Sequence, residues 1–404
     1  MPDQFGTVSI YLIWVSIFSV ALTLYAEASV ARTKFDLEWE DFKGFVSSIT
    51  FLGLISGGIS LLVLLLMPSD WIQAIFSLQK PLILLAAVTG ILLTFFRVMI
   101  AIWQTTYNYK ANLSVTFAVD IITIVLSIML MILPIKDSNY DAMIGRIVGY
   151  SLVTGLVGLY FLVYHVRSGK IFINRRYWWL AVSYAVPVIP HALAASLLSN
   201  SDRILINQYI GSTEAGIYAF AYQLGSIVLL LWVATNTAWS PWYFEKMKQA
   251  NYSLIRQRTR QYLGGFTALT AVLIVVSPIL VTLVTSDAYA DAKRIVPIIM
   301  ASSFLSLLYG FYANIEFFER KTVYISIATI SSALINIALN LLLLPRFGYL
   351  VAAWTTLIAY LFLFLFHYVV VRITMRNLDT NSLGLNVLAA GGIILLASLV
   401  YWLT

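Results

Sequence analysis

The side chains able to do chemistry in this chain are few, and each interrupts an apolar run. Asp202-Arg203 sets an acid beside a base within residues 201–218, at the middle of the sequence. Arg97 and Asp120 lie inside apolar segments on either side of the connection 104–112. Glu27 and Arg32 fall near the end of the first apolar run, and Glu316 resembles Glu27 in its place before Glu319-Arg320-Lys321. Asn336 and Asn340 share a helix face at i, i+4. Ionisable groups at membrane depth are costly and face a bundle interior or water, so each is a functional candidate. The arginines suit an anion, and the carboxylates suit a coupling cation or a structural pair.

Bland readings stand beside these. Asp202 and Arg203 are either a solvated interfacial pair or the lining of a polar cavity. Arg97 and Asp120 lie at similar depth, roughly 10 Å from their helix ends. They form either a salt bridge pinning a helical hairpin or an anion site in which Asp120 orients Arg97. Arg32 is placed to snorkel, and Glu316 reads as part of an interfacial cluster. Interhelical hydrogen bonding explains Asn336 and Asn340 as well as substrate contact does.

The elements that position these residues are membrane helices. Of 404 residues, 61% are hydrophobic and 11% charged, with mean hydropathy +0.88. Soluble domains carry roughly 25% charged residues, which excludes that class. Twelve spans are expected, at 8–31, 44–67, 81–104, 113–133, 142–166, 178–200, 215–239, 261–285, 294–316, 322–344, 350–371 and 383–403. The connection 240–260 has helical periodicity. The protein is therefore read as an all-α polytopic membrane protein.

The net charge of +7 would point to nucleic acid in a soluble protein. Here most of the basic residues fall in short loops after the odd-numbered spans, so no nucleic-acid partner is expected. By the positive-inside rule those loops are cytoplasmic, and the visible N-terminus is external. Arg203 then falls on the sparse side, where topology gives an arginine no reason to be; this favours its cavity reading.

Internal repetition is suggested by Phe5-Gly6 against Ala215-Gly216, Lys110 against Lys321, and Leu133-Pro134 against Leu344-Pro345, each about 210 residues apart. The expected organisation is an N-terminal lobe at 1–174, a C-terminal lobe at 175–372 and an additional helix within 373–404. The lobes are parallel repeats around a central cavity. The first copy lacks a counterpart to 178–200, so one N-terminal helix is expected to be absent from this sequence. Pro187 and Pro190, with His191, are expected to break or bend the span leading to Asp202. Trp239, Trp242 and Tyr243 read as an interfacial belt. Gly53-Gly57-Gly58 and Gly264-Gly265 read as close helix contacts.

No Walker A, metal-ligand spacing or G-x-S-x-G occurs, and there is no cysteine. No catalytic residue, metal or cofactor is expected, and the external loops are short. Transport fits better than catalysis.

Asp202-Arg203-Ile204-Leu205-Ile206…Gly211…Glu214-Ala215-Gly216-Ile217-Tyr218 resembles the junction between lobes of the polysaccharide-biosynthesis flippases, the Wzx-type O-antigen and capsule exporters. Pro2-Asp3-Gln4-Phe5-Gly6 and Asn336…Asn340…Leu344-Pro345-Arg346-Phe347-Gly348 resemble two further segments of that family. The resemblance implies the fold of the multidrug/oligosaccharidyl-lipid/polysaccharide exporters in the bacterial cytoplasmic membrane. It implies alternating-access transport of an undecaprenyl-diphosphate-linked glycan, with a polysaccharide polymerase and chain-length proteins as partners. It assigns the cationic cavity positions to Arg203 and Arg97, with Asp202 and Arg32 beside them. A cation-coupled multidrug exporter of the same superfamily is the alternative, and a membrane-embedded glycan polymerase is a third reading.

Overall fold

Long apolar runs satisfy their backbone polar groups within lipid by coiling, and this chain does so nearly throughout. The computed structural model describes residues 1–25, 27–34, 36–132, 142–374 and 383–404, all helix and turn with no strand among them. The side chains of Ala31, Arg32, Ala142 and Leu383 lie outside that description. The expectation placed on Arg32 therefore lies outside it too, as does the helix end at Leu133-Pro134. Among the described residues, 12 helices are long and apolar enough to cross a membrane.

The chain forms two compact units, one of Thr7–Ser196 and one of Met1–Gly6 with Leu197–Thr404. The first holds most of α1 (Pro2–Ala21), then α2 (Glu27–Thr33), α3 (Trp39–Leu66), α4 (Ser69–Phe76), α5 (Lys80–Thr105), α6 (Tyr109–Ile132) and α7 (Ala142–Gly169). Its core gathers Val30, Phe42, Phe45, Ile49 and Val98 with Tyr177.

The first span ends ten residues earlier than its hydropathy predicts. Thr23 Oγ1 turns back onto the Ser19 carbonyl at 2.6 Å, and Leu24 and Tyr25 take left-handed φ values of 56° and 50°. A new short helix, α2, then starts at Glu27. A second short helix, α4, occupies what reads as a loop; Ile72 is buried while Trp71 and Ile75 are exposed. Lys80 Nζ donates to the Leu65 and Met67 carbonyls, both at 2.8 Å, and so closes the end of α3.

Helix α8 (Arg175–Tyr209) is 35 residues long and continues through both Pro187 and Pro190. The expected break does not occur: the helix runs on through Asp202 to Tyr209. The second unit adds α9 (Ser212–Gly225), α10 (Ile227–Lys248), α11 (Tyr252–Val284), α12 (Ala292–Phe318), α13 (Thr322–Phe347), α14 (Val351–Thr374) and α15 (Leu383–Leu403). The connection 240–260 is helical, as its periodicity predicts, with a turn at Ala250 (φ 52°). Helix α12 is buried along nearly its whole length and is the core of this unit. Outside the spans, Tyr349 donates to Asp291, and burial with that bond raises the Tyr349 phenol above its usual range.

Glycine matters most where α1 meets α9. A Cβ at Gly6 would stand 2.1 Å from the Ser212 carbonyl oxygen, and one at Gly216 would stand 1.8 Å from that of Pro2. The two glycines that the offset pairs in sequence therefore touch in space. By contrast, Cβ atoms at Gly264 and Gly265 would meet nothing within 4 Å, so the expected packing contact is absent there. Trp239 stacks on Tyr262 with centroids 4.9 Å apart and Tyr243 is buried. These aromatics pack on one another, with Trp239 and Trp242 centroids 4.9 Å apart.

Candidate functional site

In the first unit the polar residues converge on Arg97. Helix α5 brings it within the span, eight residues or roughly 12 Å before the helix ends at Thr105. Thr94, one turn earlier, donates to the Ser19 carbonyl at 2.9 Å and so seats α5 against the end of α1. That seating places Arg97 Nη1 2.7 Å from Ser19 Oγ and 3.6 Å from Glu27 Oε1. The Arg97 side chain keeps 33% exposure, against 12% for Glu27.

The expected partner of Arg97 was Asp120, and the structure corrects this. Glu27 takes the place because the turn after α1 brings α2 back beside α5. Asp120 is exposed on α6. Tyr150 of α7 stands within electrostatic reach of both Arg97 and Asp120, and Tyr25 within reach of Glu27 and Arg97.

A tight guanidinium–carboxylate bond is about 2.8 Å long. At 3.6 Å, and with one contact to a neutral hydroxyl, the Arg97 guanidinium is held in place without being consumed. Such a group can exchange its carboxylate for an incoming anion.

In the second unit Asp202 is fully buried, and a solvated pair is excluded. Its carboxylate accepts from Asn340 Nδ2 at 2.6 Å, Thr356 Oγ1 at 2.5 Å and Tyr218 OH at 2.9 Å. Asn340 also donates to Asn336 Oδ1 at 3.3 Å, which accepts from Ser201 Oγ at 2.8 Å. Thr355 Oγ1 closes the set on Asn340 Oδ1 at 2.8 Å. Four helices, α8, α9, α13 and α14, are thus tied at one acid whose described partners are all neutral.

Arg203 points elsewhere. It is 8% exposed, donates from Nη2 to the Ser199 carbonyl at 2.7 Å and to Asn200 Oδ1 at 2.9 Å, and lies 4.6 Å over the Tyr222 ring.

Glu316 is a further correction. It does not belong to an interfacial cluster but is fully buried, 2.9 Å from His367 Nδ1. Tyr309 stacks on that imidazole at 5.4 Å, while Glu316 Oε2 and His367 Nε2 lack hydrogen-bond partners.

Tyr218, Thr356, Ser19 and His367 were not singled out as site residues from the sequence. Tyr218 stood within the quoted junction, and His367 was one of three histidines in the chain. No group of three or more His, Cys, Asp or Glu residues suited to a metal occurs among the described residues.

Residues 1–247 match the family model described as polysaccharide biosynthesis protein. An uncharacterized membrane protein of Haemophilus influenzae is 25% identical over 351 residues, 82% of this chain and 80% of that one. An Lsg locus protein of the same strain is 23% identical over 345 residues, 83% of this chain and 82% of that one. Among solved structures, a lipid II flippase MurJ in an inward closed conformation superposes with TM-score 0.68 and 14% identity, covering 99% of this chain and 90% of that one. An inward-facing multidrug resistance MATE family transporter superposes with TM-score 0.62 and 12% identity, covering 94% and 92%. At these identities the likeness is one of fold.

Proposed function

We propose, since this chain belongs to the polysaccharide biosynthesis protein family, that it carries an undecaprenyl-diphosphate-linked oligosaccharide across the bacterial cytoplasmic membrane by alternating access. The cargo serves surface polysaccharide assembly, of O-antigen, capsule or exopolysaccharide type. Sharing a fold with a lipid II flippase supports an amphipathic lipid as cargo. The physical demand is that a diphosphate and its glycan cannot enter hydrocarbon unscreened.

The observation that carries the reading is Arg97: a partly open guanidinium at membrane depth, 3.6 Å from its carboxylate. In this role Arg97 receives the diphosphate, Glu27 takes the guanidinium back on release, and Ser19 keeps it aimed. Arg203 supports the end of α8 instead: its Nη2 is committed to Ser199 and Asn200 of the same helix, and its guanidinium lies over the Tyr222 ring.

Cells that depend on this chain for surface polysaccharide provide the test. Arg97→Ala is expected to abolish surface glycan while the protein reaches the membrane at normal level. Arg97→Lys keeps the charge but not the planar fork, and is expected to retain a minor fraction. Normal glycan from Arg97→Ala would sink the reading.

One observation favours the cation-coupled exporter: the buried Asp202 enclosed by oxygen and amide groups without a described counter-charge. That reading requires cationic dye efflux from proteoliposomes, insensitive to Arg97→Ala.

A further inference from the structure

Glu316 and His367 are buried titratable groups to which the transport reading gives no task. Both side chains are fully buried, and His367 Nδ1 stands 2.9 Å from Glu316 Oε1. Glu316 stands near the end of α12, the core helix of the second unit, and His367 lies on α14. Among the residues of α12, α13, α14 and α15, Glu316 is the only acid. A buried pair of this kind adds little stability over apolar residues of the same volume. Two atoms raise its cost further: Glu316 Oε2 and His367 Nε2 have no hydrogen-bond partner among the described residues. A tie whose only task was to hold α12 to α14 would gain nothing from leaving both outer atoms unpaired.

Those two atoms are the ends of one path. From Nε2 through the ring to Nδ1, and on to Oε1 and Oε2, each is a place where a proton can sit. With Nδ1–H donating to an ionised carboxylate and Nε2 bare, the pair carries one negative charge. A proton arriving at Nε2 gives an imidazolium beside a carboxylate. Passing the Nδ1 proton to Oε1 then gives a neutral imidazole beside a carboxylic acid. Both of these forms have no net charge, and the Nδ1–Oε1 hydrogen bond persists through all three.

The neighbouring elements bring no second acid. Tyr309 of α12 stacks on the imidazole at 5.4 Å, and Tyr360 of α14 stands within electrostatic reach of Tyr309. From α15, which has no charged residue, Asn386 donates to Tyr312 OH at 2.8 Å. Arg372 of α14 lies over the Tyr368 ring at 5.7 Å, and Lys321, at the start of α13, donates to the Thr374 carbonyl at 3.4 Å. Helices α10 and α11 meet α12 through Trp232, Trp239 and Tyr262 around Phe311, and α9 meets it where Ser303 donates to the Gly225 carbonyl.

We propose that Glu316 and His367 form a proton-binding site: Nε2 takes up the proton and the carboxylate shares it. Its effect passes along α14. Thr356, Tyr360, Leu363 and His367 recur at three- and four-residue spacing and are all buried, so one face of α14 carries both the imidazole and the hydroxyl that donates to Asp202. Charging or neutralising the pair changes the hold of α12 on the helix that ties α8. Any use of this proton in transport rests on the proposed function; the binding itself does not.

Nitrogen-15 NMR of the histidine-labelled chain, purified and reconstituted in lipid, tests it. The chain has three histidines, and His367→Phe assigns the resonance. The His367 ring is expected to pass between one and two bound protons as pH is varied over the range in which the chain stays folded. Glu316→Gln keeps the shape and an acceptor for Nδ1 but cannot share the proton, and should displace that change by about tenfold or more in proton concentration. A His367 signal that is the same at every such pH overturns the proposal on the parent chain alone. An undisplaced change in Glu316→Gln overturns it as well. Arg97→Ala is expected to leave the His367 change in place whether or not it abolishes surface glycan, so the two readings fail separately.

Discussion

Removing the Asp202 carboxylate strands three donors at once. Asn340, Thr356 and Tyr218 all point at it from other helices, and each buried unsatisfied donor costs about 1–3 kcal/mol. Asp202→Ala is therefore expected to lower the unfolding free energy by about 3 kcal/mol or more. Asp202→Asn, which keeps one acceptor oxygen and the shape, should lose less than half of that. Thermal unfolding in detergent reads both, and an Asp202→Ala midpoint within a degree of the parent would contradict the network. The Glu316–His367 pair gives a different pattern. Breaking a buried pair from one side costs about 3–5 kcal/mol, whereas replacing both members by apolar residues of similar volume is close to neutral. Glu316→Met with His367→Phe together should thus be more stable than either alone; additive losses would mean that the two side chains are not coupled. Asp202, Asn336 and Asn340 were legible as candidates because a polar group in an apolar run is conspicuous. The partner of Glu316 was not, since it lies 51 residues away on a helix whose pattern says only that it is apolar.

The helices themselves were nearly all legible, because a span is a matter of length and hydropathy. The exceptions have local causes that a hydropathy window averages away. Helix α1 stops at Ala21 although the apolar run continues, since a threonine back-bond and two left-handed residues outweigh composition. This early stop sends Glu27 to Arg97 and defeats the expected pairing with Asp120. In α8 two prolines do not end the helix, as proline is tolerated in membrane helices where neighbouring groups take up the freed carbonyls. Where glycines matter was also hidden, because Gly264-Gly265 looks like a packing motif and Gly6 stands out only by its offset from Gly216. The crossing of α1 and α9 therefore supplies a sharp test. Gly216→Ala puts a methyl 1.8 Å from a backbone oxygen, which only a shift of the helix can relieve, at an expected cost of about 1–3 kcal/mol. Gly264→Ala, facing open space, should be neutral or slightly stabilising through helix propensity. Detergent melting curves that rank the two variants equally would show that the close crossing does not exist in solution.

The orientation of the whole chain in the membrane rests on the lysine and arginine bias, which is a statement about insertion and not about packing. By that bias residues 105–112 and 240–260 are expected in the cytoplasm, and residues 68–80 and 286–293 outside. Because the chain has no cysteine, single cysteines can be introduced without altering a native thiol background. Four exposed sites suit the test: Asp70 and Asp287 are expected on one side, and Asn108 and Ser253 on the other. In intact cells a membrane-impermeant maleimide is expected to label Asp70→Cys and Asp287→Cys. It should reach Asn108→Cys and Ser253→Cys only after permeabilisation. The orientation matters to the transport reading because it sets the end from which Arg97 is approached. Arg97 lies nearer the end of α5 that leads into residues 105–112, so cytoplasmic labelling of Asn108→Cys puts the guanidinium toward the compartment in which a lipid-linked glycan is built. The inverse labelling pattern would face Arg97 outward. Its loose pairing with Glu27 would then describe release of cargo rather than capture, and loading would have to begin at another group.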